Sequence, residues 1–567
     1  MRNRFLLAAS LPLLFIACGV PHGQHTQSVL HKAPASASYE MQADASAPSR
    51  TSGYLDATTQ ANNLSAVTVN GRRANRRQLK KLRYQSDTVA YNTEEYEPIV
   101  ENPFLGVGYN PLSTFSIDVD QASYTNVRRF INQGTLPPPG SVRIEEMLNY
   151  FEYSYPRPRG EDPFSVNTEI AACPWNQQHQ LVRIGLKGKE IPVQDLPAAN
   201  LVFLIDVSGS MDEPNKLPLV QASLGMLTDQ LRSKDRVAIV VYAGQAGLVL
   251  PSTSGDDKTK IKEAINGLSA GGSTAGGQGI ALAYKIAKQN FITGGNNRVI
   301  LATDGDFNVG LSSDAALVSM IGNERTSGVF LSVLGYGMGN YKDSKMQQLA
   351  DKGNGNHAYI DNISEARKVL VSEFGSTLFT IAKDVKIQIE FNPAKVHSYR
   401  LIGYENRMLA AEDFKDDTKD AGELGSGHTV TALYEVIPTG IKDSFTAVPP
   451  DSLKYQTAHT QSSGSNSKEI MTIKLRYKRP DEETSRLIVK AIDDHALPFE
   501  KTSSDFRFSA AVAEFGLLLR KSAFRQQASF NQALTLAKEA GGDDPHGYRA
   551  EFIKLVQTAG SLAIAKK

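Results

Sequence analysis

The sequence predicts a multidomain fold in which a central α/β domain is flanked by a β-sandwich-like region and C-terminal helices. Three patterns carry this prediction. Apolar strand-like runs alternate with amphipathic helical segments over residues 198–375, polar and apolar residues alternate with a period of two on both sides of that range, and helical spacing returns from residue 504. Continuous apolar strands that alternate with helices are typical of a parallel sheet covered on both faces.

The first 17 residues have the form of an export signal. Arg2 and Arg4 precede an apolar run over residues 5–17, which is too short to span a bilayer. The run ends in Phe-Ile-Ala-Cys at residues 15–18, which resembles the lipobox of bacterial lipoproteins, although Phe stands where that motif prefers Leu. The resemblance implies that cleavage leaves a lipidated Cys18 as the first residue of the mature chain.

Lipidation of Cys18 would anchor the exported protein in the bacterial cell envelope. Gly19 follows the cysteine, and a residue other than Asp at this place favours the outer membrane in Gram-negative lipoproteins. An ordinary cleaved signal that contains a cysteine is the alternative. Residues 18–101 are rich in Ser, Ala, Thr, Gln and Asn and poor in large apolar residues, so we expect a disordered tether.

Residues 102–197 are predicted to form an N-terminal flanking module of short elements. The expected elements are a strand over 114–119, helices over 124–132 and 143–151, and half-buried strands around 166–170 and 182–186. The alternation in the last two segments is typical of strands that turn one face towards a core.

The central domain, residues 198–375, is predicted to contain a doubly wound, Rossmann-like sheet with helices on both faces. Its parallel strands are expected at 201–205, 237–242, 299–302, 329–334 and 357–360. Helices are expected at 217–231, 258–268, 279–291, 315–323 and 345–351, followed by a closing helix at 365–374. Right-handed crossovers between parallel strands place such helices on both faces.

The region after the central domain divides into residues 376–503, with the alternation of a β-sandwich, and residues 504–567, with helical spacing. We expect strands before residue 198 and after residue 376 to pair in one sandwich, so that the central domain is inserted between them. Polar loops over 412–427 and 462–467 are expected to be mobile.

Composition excludes several classes of protein. The formal net charge of +1 gives no overall attraction for nucleic acid, and nucleic acid is not expected as a partner of an exported protein. The two cysteines, Cys18 and Cys173, are too few for a disulfide framework or a thiolate zinc site. Cys173 is expected to be a small buried residue.

Oxygen-bearing side chains follow two of the predicted central strands. The first strand ends in Asp-x-Ser-x-Ser at residues 206–210, and the third is followed by Thr-Asp-Gly at residues 303–305. Ligands bind open parallel sheets just beyond the carboxyl ends of the strands. Thr274 lies in a glycine-rich loop from which its hydroxyl could reach the same edge. Carboxylate and hydroxyl oxygens are hard ligands that suit Mg²⁺ or Mn²⁺.

This order of motifs resembles the metal-ion-dependent adhesion site of von Willebrand factor type A (VWA) domains. The resemblance covers residues 198–375 and implies a metal site formed by Asp206, Ser208, Ser210, Thr274 and Asp304. It implies that the hydroxyls coordinate Mg²⁺ or Mn²⁺ directly, that the carboxylates often act through water, and that one position stays open for an Asp or Glu of a partner protein. A VWA fold with a vestigial site is the alternative.

Both flanks resemble the neighbours of VWA domains in one group of bacterial lipoproteins. Residues 102–151, with Ser-Ile-Asp-Val-Asp at 116–120, are similar to the N-terminal von Willebrand-associated module of that group. The region from residue 376 onwards is similar to its C-terminal domain of unknown function.

The sequence does not lead us to expect that the protein is an enzyme. The Asp-Val-Asp at residues 118–120 is similar to the first motif of haloacid dehalogenase-like phosphatases, but Ala122 stands where that family has Thr or Val. A nucleophilic Ser208 or Ser210 would need a nearby histidine as its base, and no pattern places the next histidine, His357, within reach.

Two function classes remain. The first is a membrane-tethered binding or scaffold lipoprotein whose metal site captures an acidic residue of an unidentified partner protein. The second is a structural or assembly subunit of an envelope complex whose VWA fold docks without metal. Loss of partner binding on chelation distinguishes the two.

Overall fold

The computed structural model describes residues 93–272, 276–305, 314–373, 375, 378–445 and 467–565, and the backbone of two short antiparallel strands, Thr68–Val69 and Arg72–Arg73. The chain divides into two compact units, residues 1–89 and 90–567. Apart from those two strands, the predicted signal peptide, Cys18 and the predicted tether up to residue 92 lie outside the described residues.

Short elements precede the central domain; all but the first, β1, were predicted, with ends shifted by a few residues. They are β1 (Leu105–Gly106), β2 (Leu112–Ser116), α1 (Ala122–Asn132), α2 (Ile144–Asn149), β3 (Phe164–Cys173) and β4 (Asn176–Gly188). Cys173, the last residue of β3, is fully buried, which confirms the expectation from sequence.

The elements of the central domain are β5 (Ala199–Asp206), α3 (Leu217–Gln230), β6 (Arg236–Tyr242), β7 (Ala246–Ser254), α4 (Lys258–Asn266), α5 (Gly276–Gln289), β8 (Asn296–Thr303), α6 (Asp314–Arg325), β9 (Val329–Tyr336), α7 (Asp343–Lys352), β10 (His357–Ile360) and α8 (Ile363–Arg367). Its six strands form one sheet in the order β10-β9-β8-β5-β6-β7. Alternate residues of β5 enter two apolar cores, Phe203 on one face and Leu204 on the other. This arrangement confirms the doubly wound architecture.

The edge strand β7 has no counterpart in the predicted strands, and it runs antiparallel to β6, so the sheet is mixed rather than wholly parallel. Gly247 and Pro251 interrupt its apolar residues, and Leu248 and Val249 are exposed. An edge strand with one open side needs no continuous apolar run, so a search for such runs passes over it.

The closing helix is shorter than predicted. α8 is followed by a π-helical turn, Lys368–Ser372, instead of continuing as an α-helix, and residue 374 lies outside the described residues. Lys368 is buried in this turn, and its Nζ donates to Gln121 Oε1 at 2.6 Å. A contact with the N-terminal module therefore fixes the irregular turn.

Strands from before and after the central domain share two five-stranded sheets. The later strands are β11 (Thr380–Phe391), β12 (Val396–Ile402), β13 (Gly422–Gly425), β14 (Thr429–Pro438), β15 (Glu469–Lys478) and β16 (Arg486–Asp493). One sheet has the order β1-β12-β14-β4-β3. In the other, β11 pairs with β2, β13 and β15, and β15 pairs with β16. The pairing confirms one sandwich into which the central domain is inserted.

Strand β13 lies within the segment 412–427 that the sequence predicts as a polar loop. Leu424 pairs with Ala382 of β11, and a Cβ atom on Gly422 would lie 2.2 Å from the carbonyl oxygen of Ile117. A strand this short, with a glycine, carries no alternation, so only its neighbours define it. Of the other predicted loop, 462–467, only the last residue is described.

The three C-terminal helices follow the predicted spacing. They are α9 (Ser504–Arg520), α10 (Phe530–Glu539) and α11 (Tyr548–Ala565). They pack with α1 and α2 around a common apolar core, and Ser503 caps α9 by accepting a hydrogen bond from the Phe506 amide. Among the residues that the structure describes, no helix is long and apolar enough to cross a membrane.

Glu514 is a fully buried carboxyl group of α9 whose pKa predicts a pH-dependent stability. One oxygen accepts a hydrogen bond from the Ser529 amide at 2.9 Å, the other has no partner within the described ranges, and burial raises the pKa from 4.5 to about 8. Between these values the folded state keeps a proton that the unfolded chain loses, so stability falls as pH rises, by up to about 1.4 kcal/mol per pH unit.

Glu514→Gln is expected to remove this loss. The thermal midpoint of the variant, measured by circular dichroism, should decrease less than that of the unmodified protein as the pH rises through this range. Parallel pH profiles for the two proteins would contradict the assignment.

Composition assigns residues 93–101 to the tether, but the first of them, residues 93–96, lie against the central domain and α1. The amide of Thr93 donates to the Gly339 carbonyl oxygen at 2.7 Å. Glu94 accepts two hydrogen bonds from the guanidinium group of Arg129, each at 2.9 Å. Backbone pairing and a buried ion pair hold this segment, and neither needs the apolar residues on which the composition argument depends.

Candidate metal centre

Two strand ends bring the predicted carboxylates together at one edge of the central sheet. β5 ends at Asp206, and β8 ends at Thr303, the residue before Asp304. The strands are parallel neighbours with Ile205 opposite Ala302, so Asp206 and Thr303 occupy equivalent places at the edge. Both aspartates are fully buried.

Hydrogen bonds hold the carboxylate of Asp206 in one orientation. Its Oδ1 accepts from the Ser208 amide at 2.9 Å, and its Oδ2 accepts from the hydroxyls of Tyr242 at 3.1 Å and Thr303 at 3.2 Å. Burial raises the pKa of Asp206 to about 6, and the hydrogen bonds from Ser208 oppose that rise. A positive charge bound nearby would favour the ionised form.

The two serine hydroxyls of the predicted site lie side by side. Ser208 Oγ and Ser210 Oγ are 3.0 Å apart; Ser208 is buried and Ser210 is exposed. The glycine-rich loop contacts this turn, because the Gly209 amide donates to the carbonyl oxygen of Gly272 at 3.0 Å. Thr274 follows in the same loop but lies outside the described residues.

Lys216 and Asn340, which no sequence motif marks, are partners of Asp304 in the described part of the chain. Lys216 Nζ lies 3.0 Å from its Oδ2, and Asn340 Nδ2 donates to the same oxygen at 3.1 Å. Asn340 follows the carboxyl end of β9, so the strand-end rule that points to Asp304 applies to it as well. Lys216 belongs to the loop between β5 and α3, where a single lysine forms no pattern.

The oxygen ligands that the described residues offer fit a small divalent cation. Asp206 contacts the serine turn directly, and Lys216 connects that turn to Asp304, so two carboxylates and two hydroxyls lie at this sheet edge. Such hard oxygen ligands suit Mg²⁺ or Mn²⁺. Within the described part of the chain, no group of three or more His, Cys, Asp or Glu side chains is placed to hold a metal ion. The candidate centre differs from such a group because hydroxyls make up half of its described donors.

The residues considered above for enzymatic roles, His357, Asp118 and Asp120, form hydrogen bonds with structural partners. The amide of His357 donates to Asp120 at 2.8 Å, its Nε2 lies 2.7 Å from the Tyr341 hydroxyl, and burial lowers its pKa to about 4. Asp118 and Asp120 both accept hydrogen bonds from Arg407 of the sandwich. The bond from His357 joins the central domain to the N-terminal module, and the bonds from Arg407 join that module to the sandwich.

Three parts of the chain match protein families. Residues 200–372 match the von Willebrand factor type A domain, residues 90–183 match von Willebrand factor, and residues 376–562 match the C-terminal region of the uncharacterized protein YfbK. The first match confirms the predicted VWA domain, and the third confirms a C-terminal domain of unknown function.

Two solved structures of low sequence identity, both of proteins named for VWA domains, are similar to this chain. The von Willebrand factor type A protein from Catenulispora acidiphila is 16% identical with a TM-score of 0.38, and the match covers 69% of this chain and 89% of that one. The ArnB paralog VWA2 from Sulfolobus acidocaldarius is 13% identical with a TM-score of 0.35, and the match covers 71% and 98%.

The sequence similarity to one relative covers far more of the chain than the central domain. The uncharacterized protein sll0103 of Synechocystis sp. is 27% identical over 199 residues, which cover 35% of this chain and 45% of that protein. The uncharacterized protein YfbK of Escherichia coli (strain K12) is 46% identical over 475 residues, which cover 82% of this chain and 81% of that protein. The chain therefore belongs to the YfbK family, and its central domain is a VWA domain.

Proposed function

We propose that this protein is a membrane-tethered scaffold of the cell envelope that binds an acidic residue of a partner protein through a divalent cation. The VWA domain identifies the general class, a protein-interaction or adhesion scaffold. The residues proposed to hold Mg²⁺ or Mn²⁺ are Asp206, Ser208, Ser210, Thr274 and Asp304.

The convergence of hard oxygen donors at one sheet edge carries the proposal. The carboxylate of Asp206 is already held in one orientation, because Tyr242 and Thr303 donate to one of its oxygens and the Ser208 amide donates to the other. It would therefore need little rearrangement to bind a cation. Ser210 is the exposed member of the hydroxyl pair, so the site faces solvent on that side. A bound divalent cation would supply positive charge and an open coordination position for a carboxylate.

Binding rather than catalysis is proposed because of the contacts that the serines make. The hydroxyl of Ser208 faces that of Ser210 and not an imidazole. A nucleophilic serine requires a general base in hydrogen-bond contact. The imidazole of His357, the alternative base, has its Nε2 in a hydrogen bond with the hydroxyl of Tyr341 rather than with a serine.

The proposed membrane attachment rests on the N-terminal sequence. Cys18 ends a short apolar run in a lipobox-like motif, and lipidation there would anchor the chain. Gly19, next to the cysteine, favours the outer membrane. The tether would then hold the VWA domain near the membrane surface, where it could meet partner proteins.

A metal-independent structural or assembly subunit of an envelope complex is the second candidate. Lys216 favours it, because its ammonium group already neutralises Asp304 at a distance of 3.0 Å. The fold would then need no cation to balance this buried carboxylate. In that case, chelation would leave partner binding unchanged.

Paramagnetic broadening of the acetate methyl proton resonance tests carboxylate capture by the full-length protein loaded with Mn²⁺. The methyl resonance of acetate is expected to be broader in the presence of Mn²⁺ and the protein than in the presence of the same concentration of Mn²⁺ alone. Excess EDTA should reverse this additional broadening. Asp304→Ala, which lacks one site carboxylate, should show only the free-ion broadening. Tight Mn²⁺ binding without additional broadening would contradict carboxylate capture and favour the second candidate.

A further inference from the structure

The proposed site contains a buried lysine that bridges its two halves. Lys216 is 4% exposed, and its Nζ donates to the backbone oxygen of Ser210 at 2.9 Å and to Oδ2 of Asp304 at 3.0 Å. One ammonium group therefore connects the serine loop after β5 with the aspartate after β8.

The fold leaves space for this lysine. Gly337, the residue after β9, has a φ of +75°, and a Cβ atom there would lie 2.5 Å from Lys216 Cε. A side chain at position 337 would displace the lysine stem, and glycine is the residue that adopts this backbone conformation without strain. Lys216 also directly precedes α3, so the start of the helix fixes the origin of its side chain.

The ammonium group changes the charge of the site. Among the described side chains that the site brings together, Asp206 and Asp304 contribute two negative charges when ionised, and Lys216 reduces that sum to a single negative charge. A divalent cation then leaves a single excess positive charge, which a carboxylate from a partner would neutralise. Without the lysine, the cation alone would neutralise the site, and a partner carboxylate would add an unbalanced negative charge.

We propose that Lys216 is a charge-balancing residue that weakens the binding of a divalent cation alone and strengthens its binding together with an acidic ligand. The inference rests on the proposed function, because it requires the cation to bind at this sheet edge. It follows that the site fills mainly when an Asp or Glu of the partner is present, so that cation and partner bind cooperatively.

The first part of the proposal is that Lys216 weakens the binding of the cation alone. Titration of the full-length protein with Mn²⁺, followed through the electron paramagnetic resonance signal of the free ion, tests it. Lys216→Met keeps the stem and removes the charge, and Lys216→Gln is a second neutral variant. Both are expected to bind Mn²⁺ about tenfold more tightly than the unmodified protein, which corresponds to about 1.4 kcal/mol. Structural damage would weaken binding, so a gain in affinity identifies the effect of charge.

Lys234→Met is the matched control. Lys234 also donates to a backbone oxygen, that of Gln194 at 3.0 Å. It precedes β6, however, and so lies at the opposite edge of the sheet from the site. Its replacement is expected to leave the Mn²⁺ affinity unchanged.

The second part of the proposal is that Lys216 strengthens the binding of the cation together with an acidic ligand. The same titrations in acetate and in chloride, at equal ionic strength, test it. Acetate is expected to tighten Mn²⁺ binding in the unmodified protein and in Lys234→Met. It should have a much smaller effect in Lys216→Met, because the cation already neutralises the site of that variant.

Equal or weaker Mn²⁺ binding by both Lys216 variants would overturn the inference and leave the proposed function intact. An equal effect of acetate on Lys216→Met and on the unmodified protein would also overturn it. Absence of Mn²⁺ binding in the unmodified protein and in every variant would overturn the proposed function itself, and the inference with it.

Discussion

Asp206→Ala is expected to weaken the binding of Mg²⁺ and Mn²⁺ by about 100-fold or more, roughly 3 kcal/mol. Asp206 supplies one of the two site carboxylates, and through the Ser208 amide it holds the turn that presents the serine hydroxyls. The substitution also deprives the hydroxyls of Tyr242 and Thr303 of their shared acceptor. Charge and geometry are therefore lost together.

Isothermal titration calorimetry of the full-length protein and this variant measures the loss. Asp212→Ala is the matched control, because Asp212 belongs to the same loop but is exposed to solvent. Its removal is expected to change the affinity little, since exposed charges are screened. Unchanged binding by Asp206→Ala would show that the cation is held elsewhere in the protein.

Arg143→Ala is expected to lower the free energy of unfolding by about 3–5 kcal/mol. The guanidinium group of Arg143 is buried between Glu146 of α2 and Asp343 of α7. Burial alone would raise the pKa of Asp343, but Arg143, together with His357 and Tyr341, holds that pKa below its ordinary value. Removal of the arginine leaves both carboxylates buried without this cation, at the junction of the N-terminal module and the VWA domain.

Arg157→Ala is the control for this prediction. Arg157 pairs with Glu190 at 2.6 Å, but the two side chains are 75% and 54% exposed, and such a pair contributes about 1 kcal/mol or less. Urea denaturation followed by circular dichroism compares the two variants. Losses of similar size would mean that the buried arginine does not secure the junction.

The central sheet and the closeness of its two strand ends are predictable because their signals are local. Every residue of β5 is buried, so the strand stands out as an apolar run that ends in a polar loop. Parallel neighbours end at the same edge, which places Asp206 and Asp304 together before any coordinates are known. The sandwich strands are visible for a similar reason, since inward residues such as Val182 and Tyr434 alternate and pair across one sheet.

The features that sequence alone does not predict depend on contacts between distant segments. Lys216 reaches Asp304 because Gly337, far along the chain, leaves space for its stem. Glu94 holds the segment before the flanking module by an ion pair with Arg129. Neither contact leaves a periodic or compositional signal, because each depends on one or two polar residues whose neighbours are set by the complete fold.

The most direct test of the central claim is an anomalous difference map from crystals of the full-length protein grown with Mn²⁺. We predict a peak at the carboxyl ends of β5 and β8, in direct contact with the hydroxyls of Ser208 and Ser210 and close to Asp206 and Asp304. A map without a peak there, at Mn²⁺ concentrations that saturate the protein in solution, would contradict the claim that this edge of the VWA sheet is the metal centre.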